Sequence, residues 1–399
     1  MDYDIAIVGA GIVGLATALQ INQKRPELKI IVIEKENKVA AHQTGNNSGV
    51  IHSGIYYKPG SLKAKNCIEG YHLMINFCKE NNIPIDMCGK IIVATSEAEI
   101  PALTNIYNRG IENGLTGLKY IDEKEIKEIE PYTNGVKGIF VPQTGIVDYK
   151  VVANKYSEIF QKNGGELVLN TKVVKISKKN DLIYIKTSRF DLQTKLVINC
   201  AGLYSDKIAS LTIPDLEVKI VPFRGEYYSL NNNKRHLVNN LIYPVPDPNF
   251  PFLGVHFTRR IDGEIEAGPN AVLAFQREGY TKSQINIKEL FETLTWKGFQ
   301  KVAIKYWKTG IGEMYRSFSK KAFTIALQKL MPSIQPQDLK QGGAGVRAQA
   351  CDKNGGLIDD FYIKELPGQI HVLNAPSPAA TSSLSIGNTI AELAFKQFS

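Results

Sequence analysis

Apolar residues in this chain follow two periods, and the switches between them outline its elements. Residues 5–8 form an unbroken apolar run ending at Gly9, as a strand buried on both faces does. Residues 12–23 have helical composition, and residues 29–34 form a second apolar strand. Strand, glycine turn, helix and strand make a βαβ unit. Further strands are predicted at 90–95, 166–169, 172–176, 196–201 and 369–373, and helices at 97–112, 123–130, 150–162 and 381–398. Residues 218–275 are rich in Tyr, Phe, Val and turn formers, the composition of an antiparallel sheet, and 287–330 is largely helical. The α/β segments are thus interrupted by a second unit, not followed by it.

The glycine turn carries the first chemistry. Gly9, Gly11 and Gly14 have the G-x-G-x-x-G spacing between a strand and the helix it opens. Glycine permits a tight turn, close approach to a pyrophosphate and close helix–strand packing, while the helix N-terminus faces the negative charge. Glu34 closes the second strand, where a carboxylate accepts hydrogen bonds from ribose hydroxyls. Together these features predict a bound dinucleotide.

Composition narrows the class. The chain has 399 residues, enough for two domains, and is 43% hydrophobic and 22% charged, as soluble proteins are. It contains no long purely apolar stretch and no leader-like start, so a cytoplasmic protein without a membrane span is expected. Five cysteines, with no C-x-x-C pair, argue against a disulfide framework or a zinc site, and no metal is expected.

Longer strings add a resemblance. The N-terminal glycine motif with Glu34 and Lys35, the strand 197–202 followed by Asp206, and the Gly-rich segment 342–347 resemble the D-amino-acid-oxidase-like superfamily of flavoproteins. Within it, residues 47–57, 222–228, 252–259, 268–272 and 373–382 resemble the L-2-hydroxyglutarate oxidase/dehydrogenase family. The resemblance implies an α/β fold: a discontinuous Rossmann-like FAD-binding domain with an inserted substrate domain of mostly antiparallel sheet plus helices. The expected boundaries are 1–85, 145–215 and 340–399 for the FAD domain, and 86–144 and 216–339 for the substrate domain. It implies FAD as cofactor, held by Gly9, Gly11, Gly14, Glu34, Lys35, Thr44, Asn47, Ser48, Val173, Ala201, Gly202, Gly345, Ala379, Ala380 and Thr381. The implied reaction is oxidation of L-2-hydroxyglutarate to 2-oxoglutarate, with a membrane quinone or oxygen as acceptor. Oxidation of an amino acid or of glycerol 3-phosphate remains open, as does a non-catalytic flavin-binding assembly factor.

Flavin oxidation of a 2-hydroxy acid needs a base for the hydroxyl proton and a cation for the C1 carboxylate. His52 and His256 are the candidate bases, since imidazole exchanges protons near neutral pH. Arg347 is assigned the C1 carboxylate, because the planar guanidinium fork fixes the angle of C2. Arg224 is the candidate for the second carboxylate, and Tyr243, Tyr228 and Thr258 are candidate hydrogen-bond donors. Residues 374–381 suit a loop against the flavin, with the following helix N-terminus near its O2 side.

The net charge of +9 is concentrated in one place. Between Lys297 and Lys329 eight basic residues stand against a single acid, Glu313, among Phe299, Tyr306, Trp307, Tyr315, Phe318 and Phe323. No nucleic-acid-binding pattern accompanies them, so nucleic acid is not an expected partner. Peripheral contact with an anionic membrane is the expected use, on the cytoplasmic face of the inner membrane, unless the aromatics simply pack beneath the helix. Oligomeric state is not readable.

Overall fold

A computed structural model describes residues 2–247 and 253–398. Phe252, the first residue of one string above, lies outside the described residues.

The βαβ unit forms as expected. Tyr3–Val8 lies between Ile30–Ile33 and Asp191–Asn199, parallel to both, and Glu166–Val168 and Gln369–Asn374 extend this parallel core. Every residue of Ile30–Ile33 is buried, as befits a strand covered on both faces. The antiparallel strands Val173–Lys179, Leu182–Thr187 and Tyr362–Leu366 complete eight. Helices Ile12–Lys24, Tyr149–Lys162 and Ser383–Lys396 join this core. The first and last pack so closely that a Cβ on Gly387 would lie 2.7 Å from the Ala16 backbone.

Helix Leu62–Glu80 was not expected. Its charged residues dilute the apolar signal, yet Ala64, Cys67, Gly70, Tyr71, Met74, Phe77 and Cys78 share one buried face, and Ser61 caps it by accepting from the Ala64 N–H.

Among the described residues the second sheet has nine strands. Its path runs Val272–Leu273, Val218–Leu230, Ile265–Gly268, His256–Arg259, Leu241–Pro244, Lys90–Ala94, Lys137–Val141 and Lys119–Asp122. All pairs are antiparallel except Leu241–Pro244 with Lys90–Ala94. The Gly-rich segment lies in a 14-residue strand, Leu339–Asp352, antiparallel to Val218–Leu230. Its glycines permit contact: a Cβ on Gly345 would meet the Asn46 carbonyl at 2.4 Å. A small sheet of Val50–Ile51, Gly145–Val147 and Ile85–Asp86 completes the strand set.

Residues 287–328 form three helices, Ile287–Leu294, Lys297–Phe318 and Lys320–Gln328. Their aromatics divide. Phe299 and Phe323 are buried, and Tyr306 packs partly against Phe299. Trp307, Tyr315 and Phe318 stand in the open with Ile304 and Ile311, each 56% to 75% exposed. Steps of four, four and three put Trp307, Ile311, Tyr315 and Phe318 on one helical face, Ile304 is exposed just before the kink at Tyr306, and Ile287, Phe291 and Leu294 make a similar exposed stripe.

Candidate active site

At the carboxyl end of the parallel strands the glycines do separate jobs. Gly9 has φ +105°, and a Cβ there would strike the Cys200 carbonyl at 2.6 Å. A Cβ on Gly14 would strike the Gly9 carbonyl at 2.0 Å, so this glycine lets helix and strand close together. Gly11 differs: a Cβ would meet only the Thr44 hydroxyl, at 3.5 Å, leaving room for a ligand. Gly11 caps the first helix without a side-chain acceptor, and no acid occupies the first turn. The Thr44 hydroxyl accepts from the Ile12 N–H at 3.0 Å. Glu34 is buried, accepting from the Ala10 N–H at 2.7 Å and the Glu36 N–H at 3.0 Å. A carboxylate oxygen accepts more than one bond, so Glu34 retains capacity for a ribose. A helix start with no N-cap side chain and no acid in its first turn, an open glycine and a fixed carboxylate fit a dinucleotide.

The other expected cofactor residues surround this end. Lys35 is held by Glu36 and Glu278 and lies over the Tyr204 ring. The Asn47 amide folds its own loop, donating to Gln43 and Thr44 carbonyls and accepting from the Gly49 N–H. Ser48 is half-buried, and Val173 packs with Val8 and Ile33. The Ala201 N–H donates to Asn199, and Gly202 has φ +51° beside Gln43.

The loop before the last helix brings distant segments together. The Thr381 hydroxyl accepts from the His52 N–H at 3.1 Å and lies 2.8 Å from the Tyr149 hydroxyl. Ala379 and Ala380 are half-buried beside it. Ser382 has no side-chain cap bond to the helix it precedes, and its hydroxyl and that of Ser53 are buried without a partner among the described residues. Two orphaned hydroxyls near a helix start are what a polar cofactor edge would satisfy.

The structure brings His52, His256, Arg347, Tyr243 and Thr258 into one cluster. The His256 ring lies 4.0 Å, centroid to centroid, from Tyr243, and the Tyr243 hydroxyl sits beside Thr258. His256 Nδ1 is 2.9 Å from the Gly254 carbonyl. Burial, aided by Lys90 and by the other histidine, pushes His52 down to about 3. Burial also pushes His256 down to about 4, opposed by Gly254 and aided by Lys90 and Arg347. Both imidazoles are therefore neutral at neutral pH. Arg347 has open surface yet lies deep enough for burial to draw its guanidinium below the usual arginine range, with Tyr227 opposing. His52 and Tyr227 are half-buried, and burial likewise shifts both side chains toward their neutral forms.

Arg224 is not brought to this cluster. Register sets Phe223 opposite Arg347 and Arg224 opposite Val346, so the two arginines leave the strand pair on opposite faces. The Arg224 guanidinium is buried and donates to Glu226 at 2.9 Å and to the Gly279 and Thr281 carbonyls. Tyr228 packs on Phe323.

Two groups escaped the sequence reading. Tyr227 lies beside Arg347. Lys90 is 1% exposed, with its ammonium 4.6 Å from the Tyr56 ring centroid and 5.0 Å from that of Tyr243. The available signal was a lysine opening an otherwise apolar strand.

A family model described as FAD dependent oxidoreductase matches residues 4–393. The FAD-bound L-alpha-glycerophosphate oxidase from Mycoplasma pneumoniae superposes with a TM-score of 0.79 at 24% identity, over 99% of this chain and 94% of that one. The chain belongs to the FAD-dependent oxidoreductase family, and FAD is its cofactor. An L-2-hydroxyglutarate dehydrogenase of Indibacter alkaliphilus is 63% identical over 399 residues, the whole of both chains. The mitochondrial L-2-hydroxyglutarate dehydrogenase of Homo sapiens is 45% identical over 413 aligned residues, 99% of this chain and 89% of that one. Within the family this chain therefore groups with the L-2-hydroxyglutarate dehydrogenases.

Proposed function

We propose that the chain oxidises L-2-hydroxyglutarate to 2-oxoglutarate and passes the electrons to a membrane quinone or to oxygen. The observation that carries this reading is the joining of two neutral imidazoles and the Arg347 guanidinium in one cluster, in a chain so similar to enzymes of that name. FAD, when bound, supplies the two-electron sink for the C2 hydrogen. Arg347 holds the C1 carboxylate. With the Gly254 carbonyl accepting from Nδ1, His256 carries its proton there and keeps Nε2 as a base for the C2 hydroxyl. His52, fixed through its backbone to Thr381, orients that hydroxyl, and Tyr243 and Thr258 supply polar support. Residues 1–85, 145–215 and 340–399 carry FAD, and 86–144 and 216–339 cover the substrate.

Among the described residues no helix is long and apolar enough to cross a membrane. The exposed stripe of Trp307, Ile311, Tyr315 and Phe318, with exposed Ile304, Lys297, Lys301, Lys305 and Lys308 on the same helix, supports peripheral contact with anionic lipid. Such contact would bring the enzyme to a quinone.

The test is product analysis with a dye acceptor across 2-hydroxy acids, amino acids and glycerol 3-phosphate. L-2-hydroxyglutarate should give the highest kcat/KM and yield 2-oxoglutarate. A better substrate among the amino acids or glycerol 3-phosphate would replace this reading.

A further inference from the structure

Among the described residues, the buried or partly buried arginines on the substrate-side sheet and its loops include three with carboxylate partners. Arg224 meets Glu226, Arg260 meets Glu266 and Arg277 meets Asp206. Lys90 does not follow the pattern: it is 1% exposed, and no ion pair to it forms among the described residues. Its surroundings are the rings of Tyr56 and Tyr243, with Cys67, His52 and His256 close enough to interact electrostatically. A buried ammonium without a counter-charge weakens a fold, so retaining one calls for a use outside the fold. The Tyr56 hydroxyl is also buried without a partner among the described residues.

Position supplies the use. Lys90 opens the strand Lys90–Ala94, whose neighbour Leu241–Pro244 carries Tyr243, and the Tyr243 ring lies tilted against that of His256. His256 interacts with both Lys90 and Arg347. The base therefore lies within electrostatic reach of two cations that come from different strands. A 2-hydroxy dicarboxylate has one carboxylate beside the reacting carbon and one at its far end, and Arg347 serves only the first.

We propose that Lys90 holds the far carboxylate of the substrate and thereby makes the site selective for dicarboxylic over monocarboxylic 2-hydroxy acids. The proposal rests on the reading of the reaction given above and names the residue that sets its substrate class. Burial pushes the Lys90 ammonium down to about 7, and a bound carboxylate would restore its charge. The two tyrosine faces attract the ammonium and leave its N–H groups for the carboxylate.

The test compares FAD-loaded wild type with Lys90→Met, which keeps the length of the side chain and removes its charge. For L-2-hydroxyglutarate, kcat/KM should fall by about 100-fold or more, whereas L-2-hydroxypentanoate should be used as well as by wild type or better. Glutarate, which has both carboxylates and no hydroxyl to oxidise, serves as an equilibrium probe. It should perturb the oxidised flavin spectrum of wild type and bind Lys90→Met at least about 10-fold more weakly. The midpoint of thermal unfolding should not fall, since a buried charge is removed. Equal losses on both acids, or unchanged glutarate affinity, would overturn the proposal. If wild type fails to oxidise L-2-hydroxyglutarate, the reading of the reaction fails, and the glutarate titration alone decides the role of Lys90.

Discussion

The backbone N–H of His52 donates to the hydroxyl of Thr381 at 3.1 Å, joining residues 329 positions apart. The same hydroxyl meets Tyr149 at 2.8 Å, so one threonine ties the His52 loop to the start of the last helix. Thr381→Val keeps the shape and deletes the acceptor, letting His52 drift. The rate of flavin reduction should fall by about 10- to 100-fold, with glutarate binding little changed. A reduction rate equal to wild type in stopped-flow measurements would show that this tie does not position the histidine.

Arg347 offers a fork that lysine cannot copy. Arg347→Lys keeps the charge, yet kcat/KM for L-2-hydroxyglutarate should drop by roughly 100-fold, and Arg347→Ala by more. Because the C1 carboxylate is common to all 2-hydroxy acids, the monocarboxylic acids should suffer equally. Near-normal kcat/KM in Arg347→Ala would remove Arg347 from the substrate.

The histidines set a pH dependence displaced to lower pH than that of an exposed imidazole. Burial places His52 at about 3 and His256 at about 4, below the usual value of 6.5, so the neutral, proton-accepting form persists into acid. The acid limb of kcat/KM for the free enzyme should therefore lie below about pH 5. The stability sign agrees: between 6.5 and the folded values the unfolded chain binds more protons, so the histidines cost stability as pH falls through that window. His256→Ala should cost about 100- to 10,000-fold in reduction rate. An acid limb near 6.5 that disappears in His256→Ala would contradict the neutral-imidazole account.

The exposed stripe predicts a salt-sensitive membrane contact. Each lysine near an anionic surface contributes about 1 kcal/mol, and the apolar side chains enter the headgroup boundary. Holoenzyme should co-sediment with anionic but not neutral vesicles at low salt and detach at high salt. Replacing Ile304, Trp307 and Ile311 with serine should abolish binding while leaving dye-coupled turnover unchanged. Wild type that stays in solution with anionic vesicles at low salt would remove the membrane from the account.

Local features were readable in the sequence, and features made by distant packing were not. The glycine spacing and Glu34 are set by the geometry of one βαβ unit, so they could be read from adjacent residues. Thr381 and His52 lie in strings recognisable by resemblance, although their mutual bond could not be foreseen. Arg224, beside Gly225, looked able to serve the second carboxylate as Arg347 serves the first, and only the register of Val218–Leu230 against Leu339–Asp352 separates their faces. Lys90 reads only as the first residue of a predicted strand; its burial is created partly by Tyr56 and Tyr243, which other segments bring over it.

The central claim is tested most directly by anaerobic titration of the FAD-loaded protein with the two enantiomers of 2-hydroxyglutarate. The account predicts that the L-enantiomer bleaches the flavin stoichiometrically with formation of 2-oxoglutarate, and that the D-enantiomer does not. A flavin left oxidised by L-2-hydroxyglutarate, or bleached equally by both enantiomers, would contradict it.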